Sequence, residues 1–155
     1  MQFKKTLALG FIVVLSSGQV LAETLDVHKT PTCGCCTKWI DHLEDNDYTV
    51  NSIDHDDLRA IKHKHGVDPR LQSCHTAISE AGYVFEGHVP AGAIRQFLAA
   101  PPEGAIGLSV PGMPAGTPGM EMGDRFDAYV VVQMNKEAPP TAYMRIGSKA
   151  VQDQL

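Results

Sequence analysis

Three of the four cysteines in this 155-residue chain fall within four positions, in Thr32-Cys33-Gly34-Cys35-Cys36-Thr37. That knot restricts the surrounding fold more than any other stretch. Cys33 and Cys36 form a C-x-x-C pair of the kind used for thiol redox chemistry or metal capture, and Cys35 adds a third sulfur inside it. On its N-terminal side Leu25-Asp-Val27-His-Lys alternates as a half-buried strand does, and Pro31 stops it. On its C-terminal side Cys36, Ile40 and Leu43 fall at i, i+4 and i+7, a helical stripe closed by Asn46 and Asp47. The thiols are therefore predicted at a strand-to-helix junction, where unpaired amides and the positive end of the helix dipole favour thiolates. A thiolate is both nucleophile and metal ligand, and position alone does not choose between the roles.

Before this point the chain reads as an export signal over residues 1–22. Lys4 and Lys5 are followed by the apolar run Leu7 to Leu15 and by Val20-Leu21-Ala22 at the cleavage position. The run is too short to span a bilayer, and no later segment approaches the roughly 20 apolar residues a membrane helix needs. A soluble, exported, single-domain protein is expected, located in the periplasm. Its formal charge of −5 becomes more negative once Lys4 and Lys5 are removed, which speaks against nucleic acid as a partner. Nothing in the pattern indicates an oligomer, so a monomer is expected. Export to an oxidising compartment also allows two structural disulfides, although adjacent Cys35 and Cys36 join each other poorly.

Downstream, Tyr48 to Ile53 is predicted as a second strand and Asp56 to Gly66 as a helix. His63 and His65 lie two apart on that helix and make a poor chelate. Val67 to Ser73 is a loop, Thr76-Ala-Ile78-Ser a third strand, and Tyr83 to Val89 its hairpin partner across Ala81-Gly82. Pro90 opens a helix with Ile94, Phe97 and Leu98 on its buried stripe, ended by Pro101-Pro102. This βαβαββα order with a C-x-x-C after the first strand resembles the thioredoxin fold. The resemblance implies an α/β domain over residues 23–102 in which the segment before the third strand faces the helix-borne cysteines. Thioredoxins carry a cis-proline there; this chain has Ser73-Cys74-His75, which would set a fourth sulfur opposite the first three.

Residues 103–148 are expected to be a C-terminal extension packed on the same domain. Leu108 to Gly123 holds three prolines, four glycines and three methionines and is read as an irregular loop. Asp127 to Met134 is a β-prone edge strand that pairs with Ala142 to Ile146, and residues 149–155 are a polar, frayed tail. Together Cys33-Gly-Cys35-Cys36, Ser73-Cys74-His75-Thr76-Ala77, Gly82 to Pro90 and Val110 to Met122 resemble the CopG-like proteins of Gram-negative copper-resistance gene clusters. That resemblance implies a cysteine-bridged multinuclear copper cluster on Cys33, Cys35, Cys36 and Cys74.

Cuprous copper is soft and favours thiolate, thioether and imidazole, so the residue types agree with it. Terminal donors would come from Met113, Met120 and Met122 of the loop and from His75 and His88. His75 is expected to project away along its strand and reach only the site's edge, and His88 to lie on a strand. His28, which leads into the cysteine turn, is read either as a ligand or as a residue that supports the ligands or the fold, and His42 and His55 as surface residues. The expected activity is that of a copper oxidoreductase interconverting Cu(I) and Cu(II), with copper ions as its partners; the resemblance further implies copper efflux machinery or a periplasmic copper chaperone. The alternatives are a thioredoxin-like thiol-disulfide oxidoreductase with Cys33 as nucleophile and Cys36 as resolving thiol, and a non-enzymatic Cu(I) store or chaperone. A four-cysteine structural zinc site is disfavoured, because a C-x-C-C knot crowds three ligands together and a Met-bearing loop adds nothing for zinc.

Overall fold

The structure is a computed structural model that describes residues 23–155; the expected export signal lies outside the described residues. Strand β1 (Thr24–Lys29) puts Leu25 and Val27 on one face and Asp26 and His28 on the other, the period-2 pattern read from the sequence. Helix α1 (Gly34–Glu44) carries the cysteine knot into a stripe of buried Cys36, Trp39, Ile40 and Leu43. It returns the chain to β2 (Thr49–Asp54), parallel to β1. A short helix α2 (Arg59–Lys64) and a 3-10 turn at Pro69–Leu71 precede the hairpin of β3 (Thr76–Ser79) and β4 (Val84–Glu86), and α3 (Ala91–Ala99) follows. Then come β5 (Ala105–Ser109), β6 (Tyr129–Asn135), β7 (Thr141–Ile146) and α4 (Lys149–Gln152). The fold is mixed α/β, as expected, with one sheet in the order β2-β1-β3-β4-β5-β6-β7.

The core lies between the sheet and the helices α1 and α3. Leu25, Val27, Ala77, Phe85, Leu108, Val131 and Ile146 from the strands meet Trp39, Leu43, Ile94 and Phe97 from the helices. Each large side chain buried there stabilises the fold by about 2–3 kcal/mol. Phe97 sits edge-on to both Tyr83 and Phe85. A smaller cluster of Val67, Leu71, Val84 and Met134 covers the opposite face.

Four expectations change. The hairpin turn spans Ser79 to Gly82, where the Gly82 amide donates to Ser79 O, and Gly82 with its φ of 85° absorbs the extra residue. β4 stops at Glu86, because Gly87 takes a φ of 72° and its amide turns to His75 O, so His88 and Val89 lie beyond the strand. The Gly/Pro segment is less irregular than expected. Its first residues, Leu108 and Ser109, belong to β5, which makes β6 an interior strand between β5 and β7 and leaves β7 at the edge. The polar tail is docked: Ser148 caps α4, Tyr129 Oη donates to Gln152 Oε1 at 2.6 Å, Gln152 Nε2 donates to Gly116 O at 3.1 Å, and Leu155 packs against the core.

Candidate metal centre

The turn that brings β1 into α1 is closed by the Cys33 amide donating to Thr30 O at 3.1 Å. Cys33 is the N-cap. Among the described residues no side chain caps this helix end, and no acid occupies its first turn, which leaves its positive end to favour the cysteine sulfurs. Helical spacing then buries Cys36 and leaves Cys33 and Cys35 half-buried. Cys33 and Cys36 are joined by a disulfide, whereas Cys35 and Cys74 are free thiols. Cys35 Sγ lies 3.5 Å from Cys33 Sγ, and the four sulfurs of Cys33, Cys35, Cys36 and Cys74 are all within 4.8 Å of one another.

Cys74 reaches that group from the segment entering β3, which a buried ionic network holds in place. Glu86, at the end of β4, is fully buried and accepts the Ser73 backbone N–H at 2.7 Å, the Thr76 hydroxyl at 2.7 Å and Lys62 Nζ of α2 at 2.5 Å. Lys62, 5% exposed, also donates to Thr76 Oγ1 at 2.9 Å. Burial pushes the Glu86 carboxyl above its ordinary value, and the adjacent Lys62 only partly opposes this. A carboxylate on the neighbouring strand thus sets the residue immediately before Cys74.

Two histidines flank the Cys74 sulfur. His88 Nε2 lies 3.2 Å from Cys74 Sγ, and its Nδ1–H donates to Pro118 O at 2.7 Å. That donation leaves the Nε2 lone pair facing sulfur, the arrangement in which an outer hydrogen bond fixes the tautomer of a metal-binding imidazole. His75 Nδ1 is 3.4 Å from Cys74 Sγ, with its ring stacked on Trp39 at 4.3 Å and edge-on to His88 at 4.9 Å. The expected outward projection of His75 does not occur: the ring is fully buried, and its Nε2 has no hydrogen-bond partner among the described residues. Burial holds His75 well below the ordinary histidine value and lowers His88 as well, so both rings are neutral donors at neutral pH. Burial, with Cys35 beside it, pushes the Cys74 thiol up to about 12. The thiolate-favouring field of the helix end therefore does not extend to Cys74, and a nearby cation is what would draw off its proton.

Solved structures place this arrangement in a lineage. One, titled "Copper resistance protein copG- Form 2", superposes with a TM-score of 0.75 at 40% identity, covering 80% of this chain and 98% of the other. A second, "Copper resistance protein copG- Form 1", gives 0.75 at 41% identity, over 81% and 98%. The chain belongs to the CopG family. Residues 71–120 also match a family model described as "Protein of unknown function, DUF411", and no curated protein matches the chain.

In this CopG-family chain the methionine loop crosses α1 backbone to backbone. A Cβ on Gly119, whose φ is 83°, would lie 2.8 Å from both Cys35 O and Trp39 N, so only glycine allows the approach. Met120 next to it is half-buried, whereas Met113 and Met122 are each 55% exposed. The remaining histidines differ from expectation. His42 is half-buried, with its Nε2 accepting the Ala91 N–H of α3 at 3.1 Å, and His55 pairs with His28 at 2.8 Å; neither is a simple surface residue. Sequence reasoning missed Lys62, Glu86 and the Pro118 carbonyl. The first two left a signal, a charge in phase with an apolar stripe: Lys62 is four residues after Leu58, and Glu86 two after Val84. A backbone carbonyl leaves none.

Proposed function

We propose that this chain is an exported, periplasmic copper-binding protein of copper resistance that holds a multinuclear copper cluster and interconverts Cu(I) and Cu(II). The observation that carries the reading is the convergence of four sulfurs within 4.8 Å beside the Cys74-His75-His88 group, which has two neutral imidazoles. The donor set fits copper: thiolates and imidazoles suit Cu(I) and Cu(II), and His75 Nδ1 and His88 Nε2 both face the Cys74 sulfur. Cys33, Cys35, Cys36 and Cys74 would hold the metal, with His75, His88, Met113, Met120 and Met122 as terminal donors. Bound copper would supply one-electron exchange. The protein's own part is to keep Cys74 in register through Glu86, to fix the His88 tautomer through Pro118, and to close the site with the loop seated by Gly119. Taking up the disulfide as two ligands first requires two electrons and two protons, which release the Cys33 and Cys36 thiols. The name of the matched structures supports the assignment to copper resistance. We take the working state to be a monomer that exchanges copper with a chaperone or efflux partner.

A second reading, thiol-disulfide exchange, is favoured by the Cys33–Cys36 disulfide at a helix N-terminus. Cys35→Ser separates the two, because it spares the C-x-x-C pair. Under the copper reading the reduced variant loses most of its bound Cu(I), together with any reversible colour change on oxidation, while its disulfide still forms. Rapid insulin disulfide reduction by both wild type and variant, with copper acting only as an inhibitor, would overturn it.

A further inference from the structure

On the sheet face away from the main core, two more histidines are aimed at each other. His28 leaves β1 on the side of Asp26, opposite Leu25 and Val27, and His55 directly follows β2, which is paired in parallel with β1. The chain there is fixed by the His55 amide donating to Lys29 O at 2.9 Å and by the Lys29–Asp54 ion pair at 2.7 Å. His28 Nδ1 and His55 Nε2 are 2.8 Å apart, with the rings tilted by 40° and their centroids 5.0 Å from one another. Both side chains are half-buried.

Only one proton fits between two such nitrogens, so two lone pairs converge on one point that a proton occupies. We propose that this point is a second, sulfur-free metal site that takes divalent copper in exchange for that proton. The inference goes beyond the copper reading of the cysteine group and shares no residue with it. Imidazole nitrogens bind borderline cations at about 2.0 Å, and Cu(II) heads the order of affinities among the divalent ions. Two such bonds at the right angle of a tetragonal Cu(II) site need a nitrogen separation of about 2.8 Å. His28 Nδ1 and His55 Nε2 already have that separation, and tilting the rings brings both lone pairs onto one ion beside the line that joins them.

Two further groups act on His28 through their charge: the Asp26 carboxylate on the same face of β1, and His65 at the end of α2. Asp26 Oδ1 is engaged by Asn51 Nδ2 at 2.9 Å. Burial and the neighbouring His55, His65 and Lys64 all hold His28 below the ordinary histidine value, against Asp26, so the His28 ring offers a free lone pair at neutral pH. Lys64 opposes a bound charge, and Asp26 favours it.

The test uses the chain from residue 23 onward with Cys35→Ser and Cys74→Ser and the Cys33–Cys36 disulfide intact, so that no free thiol competes for the probe. Titration with CuCl2 is expected to bind one Cu(II) per chain, with an electron paramagnetic resonance spectrum split by at least two nitrogens. His28→Gln and His55→Gln should each weaken binding at least tenfold, and His63→Gln, an exposed control, should leave it unchanged. To keep the test independent of how each variant folds, the same probe is followed by NMR on the protein with all its histidines, where the His28 and His55 ring signals should broaden first. Unchanged binding in the double histidine variant, or first broadening at His42, His75 or His88, would overturn the proposal. Failure of the cysteine reading shows separately, as absence of Cu(I) uptake by the fully reduced four-cysteine chain.

Discussion

Replacing Glu86 by glutamine isolates the ion pair that holds Cys74. The amide keeps an acceptor for the Ser73 N–H and a donor for Thr76 Oγ1, so the two hydrogen bonds at 2.7 Å survive in outline. What is lost is the negative charge beside Lys62 Nζ, in a position where Lys62 is only 5% exposed. An uncompensated buried charge of this kind costs about 3–5 kcal/mol. That is a large share of the 5–15 kcal/mol that a domain has in total.

Lys62→Met strands the carboxylate instead. Because burial already raises the Glu86 carboxyl above its unfolded value, a protonated Glu86 is favoured below the ordinary glutamate value, and that stability is lost as pH rises through the folded value. The cost of Lys62→Met is therefore expected to be smaller at pH 5 than at pH 8. The double variant Lys62→Met/Glu86→Gln strands nothing and should cost about 2 kcal/mol or more less than the sum of the singles. Trp39 is the only tryptophan and is fully buried, so its fluorescence in a urea titration of metal-free protein reads all three variants. Single variants costing under about 1 kcal/mol each, the range of exposed pairs, or costs that simply add in the double, would refute the reasoning.

Three further outcomes follow from the same geometry. Thiol titration of the oxidised protein under denaturant should count Cys35 and Cys74 alone, with Cys33 and Cys36 appearing only after reduction, and copper uptake per chain should rise at that step. Gly119→Ala forces both a left-handed φ and a clash on α1, at a cost of about 1–2 kcal/mol for the backbone alone, and should speed copper loss to a cuprous chelator by detaching the loop. His42 is held below the ordinary histidine value by burial while accepting the Ala91 N–H. Its stabilising contribution is thus complete above about pH 6.5 and lost on acidification toward the folded value, so His42→Gln should flatten the fall in thermal midpoint between pH 7 and 5.

The parts of the fold visible in the sequence are those whose signal is local. The alternation around Leu25 and Val27, the stripe from Cys36 to Leu43 and the crowding of Cys33, Cys35 and Cys36 each lie within one element. Cys74 could be set opposite them only through resemblance to a known fold, since no local pattern states which loop faces which helix. β5 was partly hidden because Gly107, with a φ of 151°, lets the Val84 backbone approach where any side chain would collide, and a glycine reads as a break. The Lys62–Glu86 pair joins a helix to a strand 24 residues away, and His42 meets an amide 49 residues away, distances at which a charge or an imidazole looks like ordinary surface.

Because β5 and β6 are sheet neighbours, the methionine-bearing segment is in topological terms one long hairpin connection, anchored at Ser109 and Tyr129. Its length and composition can vary without altering strand register, provided a glycine still crosses α1. Such a connection is a natural cassette: its exposed Met113 and Met122 are open to exchange for histidine or a carboxylate, while Gly116, Pro118 and Gly119 stay in place to hold Gln152, His88 and α1. On the proposed copper reading, metal preference is thereby separable from folding, which makes these two positions the place where selection, or an engineer, can retune it.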